Sequence, residues 1–124
     1  MPRTNNQLEV IDVRVTNNTQ WSFNICFYKN GSYIESDELR PGLTKILALQ
    51  YHSDNYECYI SGSYKGITQF SIFGRNAPKN NRFEVSDQGV FLVETVNTGR
   101  GRVTETYKVA DWQARNNNNE CNVS

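Results

Sequence analysis

The sequence predicts an all-β protein, an antiparallel β-sandwich of about eight or nine short strands. Three observations lead to this prediction. Short runs rich in aromatic and β-branched residues alternate between apolar and polar side chains, as half-buried strands do. Turn residues such as Asn30-Gly31 and Pro41-Gly42 separate these runs at short intervals. Finally, no run has the clear period of an amphipathic helix, which favours a sandwich or barrel over alternating strands and helices.

The first half of the chain contains five of these strand-like runs. They cover residues 8–16, 21–28, 33–35, 44–51 and 56–64. The polar residues 36–42 are expected to form a loop, because Pro41 and Gly42 mark a chain reversal. A helix is the alternative for residues 44–51, where several apolar residues follow one another, but the preceding Pro-Gly pair favours a strand.

Residues 66–109 contain four further runs, and we interpret this segment as one half of the sandwich. The runs cover residues 66–74, 82–86, 90–96 and 102–109. Both faces of the first run carry apolar side chains, so this strand is expected to be covered on both sides, wholly or in part. The last run alternates strictly, and the face with Val103, Glu105, Tyr107 and Val109 is expected to pack against a core.

Length and charge restrict the classes of function. A chain of 124 residues fits one domain, expected over residues 8–112, with a polar arm at 1–7 and an Asn-rich tail at 113–124. The 13 basic and 13 acidic residues cancel, and no basic stripe is present, so nucleic-acid binding is not expected. No apolar leader or membrane-spanning run occurs, so we expect a soluble protein made without a Sec-type signal peptide.

The sequence predicts neither an enzyme nor a metal or other cofactor, because it contains no catalytic or metal-binding motif. His52 is the only histidine, and its sequence neighbours Ser53 and Asp54 do not make a triad, since nucleophile and base must meet in space. Cys26 and Cys58 lie in strand-like runs and are expected to be buried thiols rather than members of a disulfide.

Aromatic residues are the most informative part of the composition. The chain has 2 Trp, 7 Tyr and 6 Phe, and the tyrosines cluster in its middle third. Tyr and Trp combine an apolar body with a polar tip, which suits membrane interfaces and also stacking on sugars. The alternative is that strands favour aromatic residues for packing alone. Trp21 and Trp112, which lie beside strand ends, are expected to be the most exposed.

Basic residues after the run at 66–74 supply positive charge, which complements the aromatic side chains in contacting a lipid headgroup. Arg75 or Lys79 is placed to meet a lipid phosphate while aromatic side chains settle at the headgroup level. The predicted lipid- or ligand-contacting residues are Trp21, Tyr28, Tyr51, Tyr56, Arg75, Lys79 and Trp112. Two alternatives remain: a lectin-like sandwich that stacks sugars on its aromatic side chains, and a structural or protein-interaction sandwich without a ligand.

Several segments resemble the aegerolysin family. Residues 11–19, Ile-Asp-Val-Arg-Val-Thr-Asn-Asn-Thr, are similar to its opening strand and the Asn-rich turn that follows. The second half of the chain resembles the family in residues 67–73, Pro78, 81–85, 89–93 and 103–109. The nearest resemblance is to the small component of binary insecticidal toxins.

This resemblance implies an actinoporin-like β-sandwich that binds membrane lipid, often a sphingolipid, and forms pores together with a larger partner protein. Because sandwich edges can pair between chains, a homo-oligomer is also compatible with the fold. Many aegerolysins carry a Trp-rich motif after the strand that corresponds to residues 67–73, whereas residues 73–78 of this chain contain no Trp. The insecticidal branch departs from the family pattern at the same place.

Overall fold

Nine β-strands make up the described part of the protein. The computed structural model describes residues 10–50, 55–62, 65–73, 76–77 and 79–113. The strands are β1 (Val10–Asn17), β2 (Phe23–Lys29), β3 (Ser32–Leu39), β4 (Thr44–Gln50), β5 (Asn55–Gly62), β6 (Gly66–Phe73), β7 (Arg82–Ser86), β8 (Gly89–Thr98) and β9 (Gly101–Ala110). The alternative of a helix over residues 44–51 is wrong for the described residues, which form β4.

The strands form two sheets, which confirms the predicted β-sandwich. The first has five strands in the order β4-β1-β7-β8-β9, and the second has four in the order β3-β2-β5-β6. Neighbouring strands are antiparallel except β1 and β7, which run parallel. Side chains that alternate along the strands fill the space between the sheets, as in β5, where Tyr56, Cys58 and Ile60 are buried in the core.

Residues 66–109 do not form one half of the sandwich, so this interpretation is wrong. β6 pairs with β5 in the four-stranded sheet, whereas β7, β8 and β9 belong to the five-stranded sheet. The short connection after β5 brings Gly66 opposite Gly62, so β6 stays in the sheet of the strand that precedes it. The chain therefore changes sheets between β6 and β7.

The expected burial of one face of β9 is also wrong. Val103, Tyr107 and Val109 are 42%, 46% and 40% exposed. The five-stranded sheet is one strand wider than the sheet it faces, and β9 is its edge strand. Only the end of β9 reaches the core, where Ala110 packs against it. β9 alternates as predicted, but among the described residues most of its length extends past the strands of the facing sheet.

β3 is longer than the sequence predicts, because it continues through Ser36–Leu39, which were expected to be a loop. Asp and Glu are poor strand formers, but an edge strand tolerates them. Lys45 on β4 extends to this strand, with Nζ 2.9 Å from Glu35 Oε1 and 3.3 Å from Asp37 Oδ2. This ion-pair cluster connects β3 and β4, which are edge strands of different sheets.

β6 is covered on its outer face at one end only. Ile67 is buried and exchanges two backbone hydrogen bonds with Gln113, of 3.0 and 2.7 Å, so ordered pairing extends one residue into the segment expected to be the tail. At the other end, Phe73 is 48% exposed. The prediction of cover on both faces therefore applies to the start of β6 and not to its end.

The two described cysteines differ. Cys58 is a free, fully buried thiol, as expected, and burial raises its pKa well above the ordinary value. Cys26 is disulfide-bonded, so the expectation of a free thiol is wrong there, and its partner lies outside the described residues. A disulfide is favoured by an oxidising environment, which the sequence alone did not indicate.

Candidate ligand-binding site

The strand register assigns the connections to two ends of the sandwich. One end holds residues 30–31, 79–81 and 99–100, and we call it the pocket end. The other end holds residues 18–22 and 111–113, and we call it the tryptophan end. The described members of the predicted set are divided between these two ends, so they do not form one surface.

Both tryptophans lie at the tryptophan end and are half-buried, so the expectation that they are the most exposed aromatic residues is wrong. The Trp112 ring stacks on Phe23 with centroids 5.0 Å apart, and its Nε1–H donates a 2.8 Å hydrogen bond to the Ser86 carbonyl. Trp21 packs against the core, with Lys65 Nζ 5.5 Å from the centre of its ring. These contacts give both side chains a role in packing.

The other described members of the predicted set lie toward the pocket end, in different environments. Tyr56 is 3% exposed and belongs to the core, so it presents no ring to a ligand. Tyr28 is half-buried on the outer face of the four-stranded sheet, and Lys79 is exposed. Tyr51 and Arg75 lie outside the described residues.

The loop that carries Lys79 is held at several points. Ala77 is fully buried in the core, which fixes the loop to the body of the protein. The Asn76 carbonyl accepts hydrogen bonds from the backbone N–H groups of Lys79 at 3.0 Å and Asn80 at 2.8 Å. The Asn81 carbonyl then accepts a 2.8 Å bond from the backbone N–H of Arg14 on β1. Lys79 therefore extends from a backbone with a defined shape.

A pocket of about 360 Å³ lies between this loop and β8. Its lining residues are Lys79, Asn81, Arg82, Val93, Glu94, Thr95 and Val96. Its volume is in the range of small-molecule sites, and its wall combines apolar valines with a few polar groups, as such sites do. We call it the basic pocket, because two cationic side chains and one carboxylate line it.

A third cation lies next to the basic pocket. In the parallel pairing of β1 and β7, Arg14 and Arg82 are direct register partners, and both side chains are exposed. Like charges in this arrangement repel each other and destabilise a sheet. Neither these two arginines nor Lys79 forms an ion pair within the described residues. Three cations and one carboxylate, Glu94, therefore lie in or beside this pocket, and the excess of positive charge suits an anionic ligand.

Sequence reasoning selects Lys79 but not the two arginines at the basic pocket. The alternation of β7 does place Arg82 on the outer face, since Phe83 and Val85 are buried. Its neighbour Arg14 lies 68 positions earlier in the sequence but is its direct partner in the strand register. No local signal indicates a parallel pairing between the first strand and a strand in the second half.

Metal binding has no basis in the described residues, where no group of three His, Cys, Asp or Glu side chains is close enough to hold an ion. Comparison with known proteins gives no relative: no family model matches the chain, and no curated protein or solved structure is significantly similar to it. Within the described ranges, the structure contains no helix with the length and apolar character needed to cross a membrane.

Proposed function

We propose that this protein is a non-enzymatic membrane-lipid-binding component of a two-part pore-forming toxin, and that its basic pocket takes the phosphate of a lipid headgroup. The observation that carries the proposal is the cluster of Lys79, Arg82 and Arg14 at one pocket, where Glu94 is the single lining carboxylate and none of the three cations forms an ion pair within the described residues. An anion there would relieve the repulsion between the arginines and accept charge-assisted hydrogen bonds.

The energetics favour a lipid over a free anion as the occupant. A solvent-exposed ion pair contributes only about 0–1 kcal/mol, so phosphate alone would bind weakly. Phe73, which is 48% exposed at the pocket end, can add the burial of an aromatic side chain in the interfacial region, worth roughly 2 kcal/mol. A membrane offers phosphate and apolar surface together, and many headgroups at once.

The remaining parts of the proposal rest on the resemblance to aegerolysins. A sphingolipid is the first lipid class to test, because members of that family often bind one. A larger partner protein would insert into the bilayer after this component has bound. The outcome would be the killing of target cells, as in insecticidal toxin pairs. The body of the protein would stay at the surface, since its apolar strand faces are already packed between two sheets.

Co-sedimentation with vesicles tests the proposal. Wild-type protein is expected to pellet with vesicles of phosphatidylcholine and sphingomyelin, and soluble phosphocholine is expected to compete. The double variant Lys79→Gln with Arg82→Gln should lose most of this binding. Arg40→Gln is the matched control, because Arg40 is an exposed arginine at the tryptophan end, 3.3 Å from Glu38. Failure of the wild type to pellet with any lipid, or equal loss in both variants, would refute the proposal.

A further inference from the structure

The outer face of the four-stranded sheet carries three tyrosines in contact with one another. The ring of Tyr28 lies 5.8 Å from that of Tyr33 and 5.4 Å from that of Tyr59, with interplanar angles of 72° and 77°. Tyr33 is 50% exposed, and the other two are half-buried. We call these three residues the tyrosine platform. Such edge-to-face contacts hold the rings in place while leaving aromatic surface open to solvent.

Hydrogen-bonding groups surround the tyrosine platform. Tyr28 is the register partner of Tyr33 on β3 and of Glu57 on β5, so the Glu57 carboxylate lies on the same outer face. The Tyr59 hydroxyl lies 3.4 Å from Glu57 Oε1, and the Tyr33 hydroxyl lies 3.0 Å from Ser36 Oγ. The rings are therefore flanked by donors and acceptors.

A cavity of about 80 Å³ adjoins the tyrosine platform. It is lined by Tyr59, Ile67, Thr68, Gln69 and Gln113. The two glutamine side chains offer both amide donors and carbonyl acceptors. Thr68 is 1% exposed, and its hydroxyl has no hydrogen-bond partner in the described part of the chain. Thr68 is the register partner of the core residue Ile60, so its hydroxyl faces the interior of the sandwich and takes no part in this outer site.

We infer that the tyrosine platform and this cavity form a carbohydrate-binding site, separate from the basic pocket. The C–H face of a sugar ring would pack on the exposed tyrosines, and its hydroxyls would bond to Glu57, Gln69 and Gln113. A small substituent such as a hydroxymethyl group would enter the cavity. No Lys or Arg lines the cavity or belongs to the platform, and the Glu57 carboxylate would repel phosphate, so a neutral sugar fits better than an anionic ligand.

A glycan array followed by titration of the retained oligosaccharide tests the inference. The decisive variant is Tyr33→Ala, which removes the most exposed ring and is expected to weaken binding about tenfold. Tyr107→Ala is the matched control, since Tyr107 is 46% exposed on a strand of the other sheet, and it should bind like the wild type. Gln69→Ala should also weaken binding, by removing a group that lines the cavity.

The two proposed sites are distinguished by crossing the variants. Tyr33→Ala should still pellet with vesicles, and the Lys79→Gln, Arg82→Gln double variant should still bind the oligosaccharide. The inference is overturned if the array retains no glycan, or if Tyr33→Ala and Tyr107→Ala bind the retained oligosaccharide equally well. Loss of vesicle binding alone in the double variant leaves the carbohydrate site intact and concerns only the proposed lipid function.

Discussion

Trp112 stacks on Phe23 and thereby joins the chain after β9 to β2, which belongs to the opposite sheet. The ring centroids are 5.0 Å apart, and the indole N–H also donates to the Ser86 carbonyl at the end of β7. One side chain therefore contacts both layers at the tryptophan end. These contacts give the half-buried Trp112 a role in packing between the two layers.

Trp112→Phe and Trp112→Ala should separate the two contributions of this side chain. We expect Trp112→Phe to lower the free energy of unfolding by about 1 kcal/mol, because the hydrogen bond to the Ser86 carbonyl is lost. Trp112→Ala should cost about 2–3 kcal/mol, because the stacking on Phe23 is lost as well. Urea denaturation measures both values. Tyr107→Phe is the control, since it removes only an exposed hydrogen bond to Glu105, and equal values for all three variants would contradict this assignment.

Gly62→Ala tests how closely β5 approaches Phe23. A Cβ at Gly62 would lie 2.6 Å from Phe23 Cε1, closer than atoms can pack, and Phe23 is only 2% exposed and has no room to move. We expect a loss of about 1–3 kcal/mol in unfolding free energy. Gly99→Ala should change it by less than about 0.5 kcal/mol, because a Cβ there meets no atom within 4 Å. If both substitutions were tolerated alike, the packing described around Phe23 would be incorrect.

Asn17 should be among the most sensitive polar residues. It is fully buried, and its Nδ2 donates to the carbonyls of Trp21 at 2.6 Å and Leu39 at 2.9 Å, while Oδ1 accepts from the Thr19 N–H and hydroxyl at 2.8 and 2.7 Å. Asn17→Ala leaves several buried groups without partners and should cost about 3 kcal/mol. Thermal and urea unfolding measure the loss. Asn18→Ala, at an exposed position, is the control, and a similar small effect for both would count against the role of Asn17.

The Lys45 cluster predicts how stability depends on pH. The Glu35 carboxylate raises the pKa of Lys45 in the folded protein. The contribution of Lys45 to the free energy of unfolding is therefore complete below the pKa that Lys45 has in the unfolded chain, and it is lost as the pH rises through the folded-state pKa. The Glu38 backbone N–H and then Lys45 lower the pKa of Asp37 in the folded protein. The contribution of Asp37 to stability is therefore present above the pKa that Asp37 has in the unfolded chain, and it is lost as the pH falls through the folded-state pKa.

Lys45→Met removes this cluster and therefore tests it. The stability difference between wild type and variant should be constant near neutral pH and should shrink below about pH 4 and above about pH 10. Its size should stay under about 1 kcal/mol, because the carboxylates are largely exposed to solvent. Urea denaturation across this pH range measures the difference, and a difference that grew toward either extreme would have the wrong sign.

Local patterns were enough to predict most strands and their faces. β7 has the predicted bounds, because its apolar and polar residues alternate with a period of two between turn residues. β3 was shortened in the prediction because its acidic residues resemble a loop. The ion pairs that make them compatible with a strand come from Lys45 on β4, which belongs to the other sheet.

Relations between distant segments could not be predicted in this way. The exposure of Val103 and Tyr107 depends on the number of strands in the opposite sheet, which the alternation of β9 does not contain. The third cation beside the basic pocket depends on the parallel pairing that brings Arg14 next to Arg82. Lys79 could be selected from its loop position alone, whereas the arginines required the sheet topology.

The most direct test of the proposed lipid function is an NMR titration of the ¹⁵N-labelled protein with a soluble short-chain phosphatidylcholine. We expect the largest amide shift changes at Lys79, Asn81, Arg82 and residues 93–96, which line the basic pocket. The Lys79→Gln, Arg82→Gln double variant should lose these changes, and Arg40→Gln should keep them. Shift changes confined to the tryptophan end, or none at the pocket, would contradict the account.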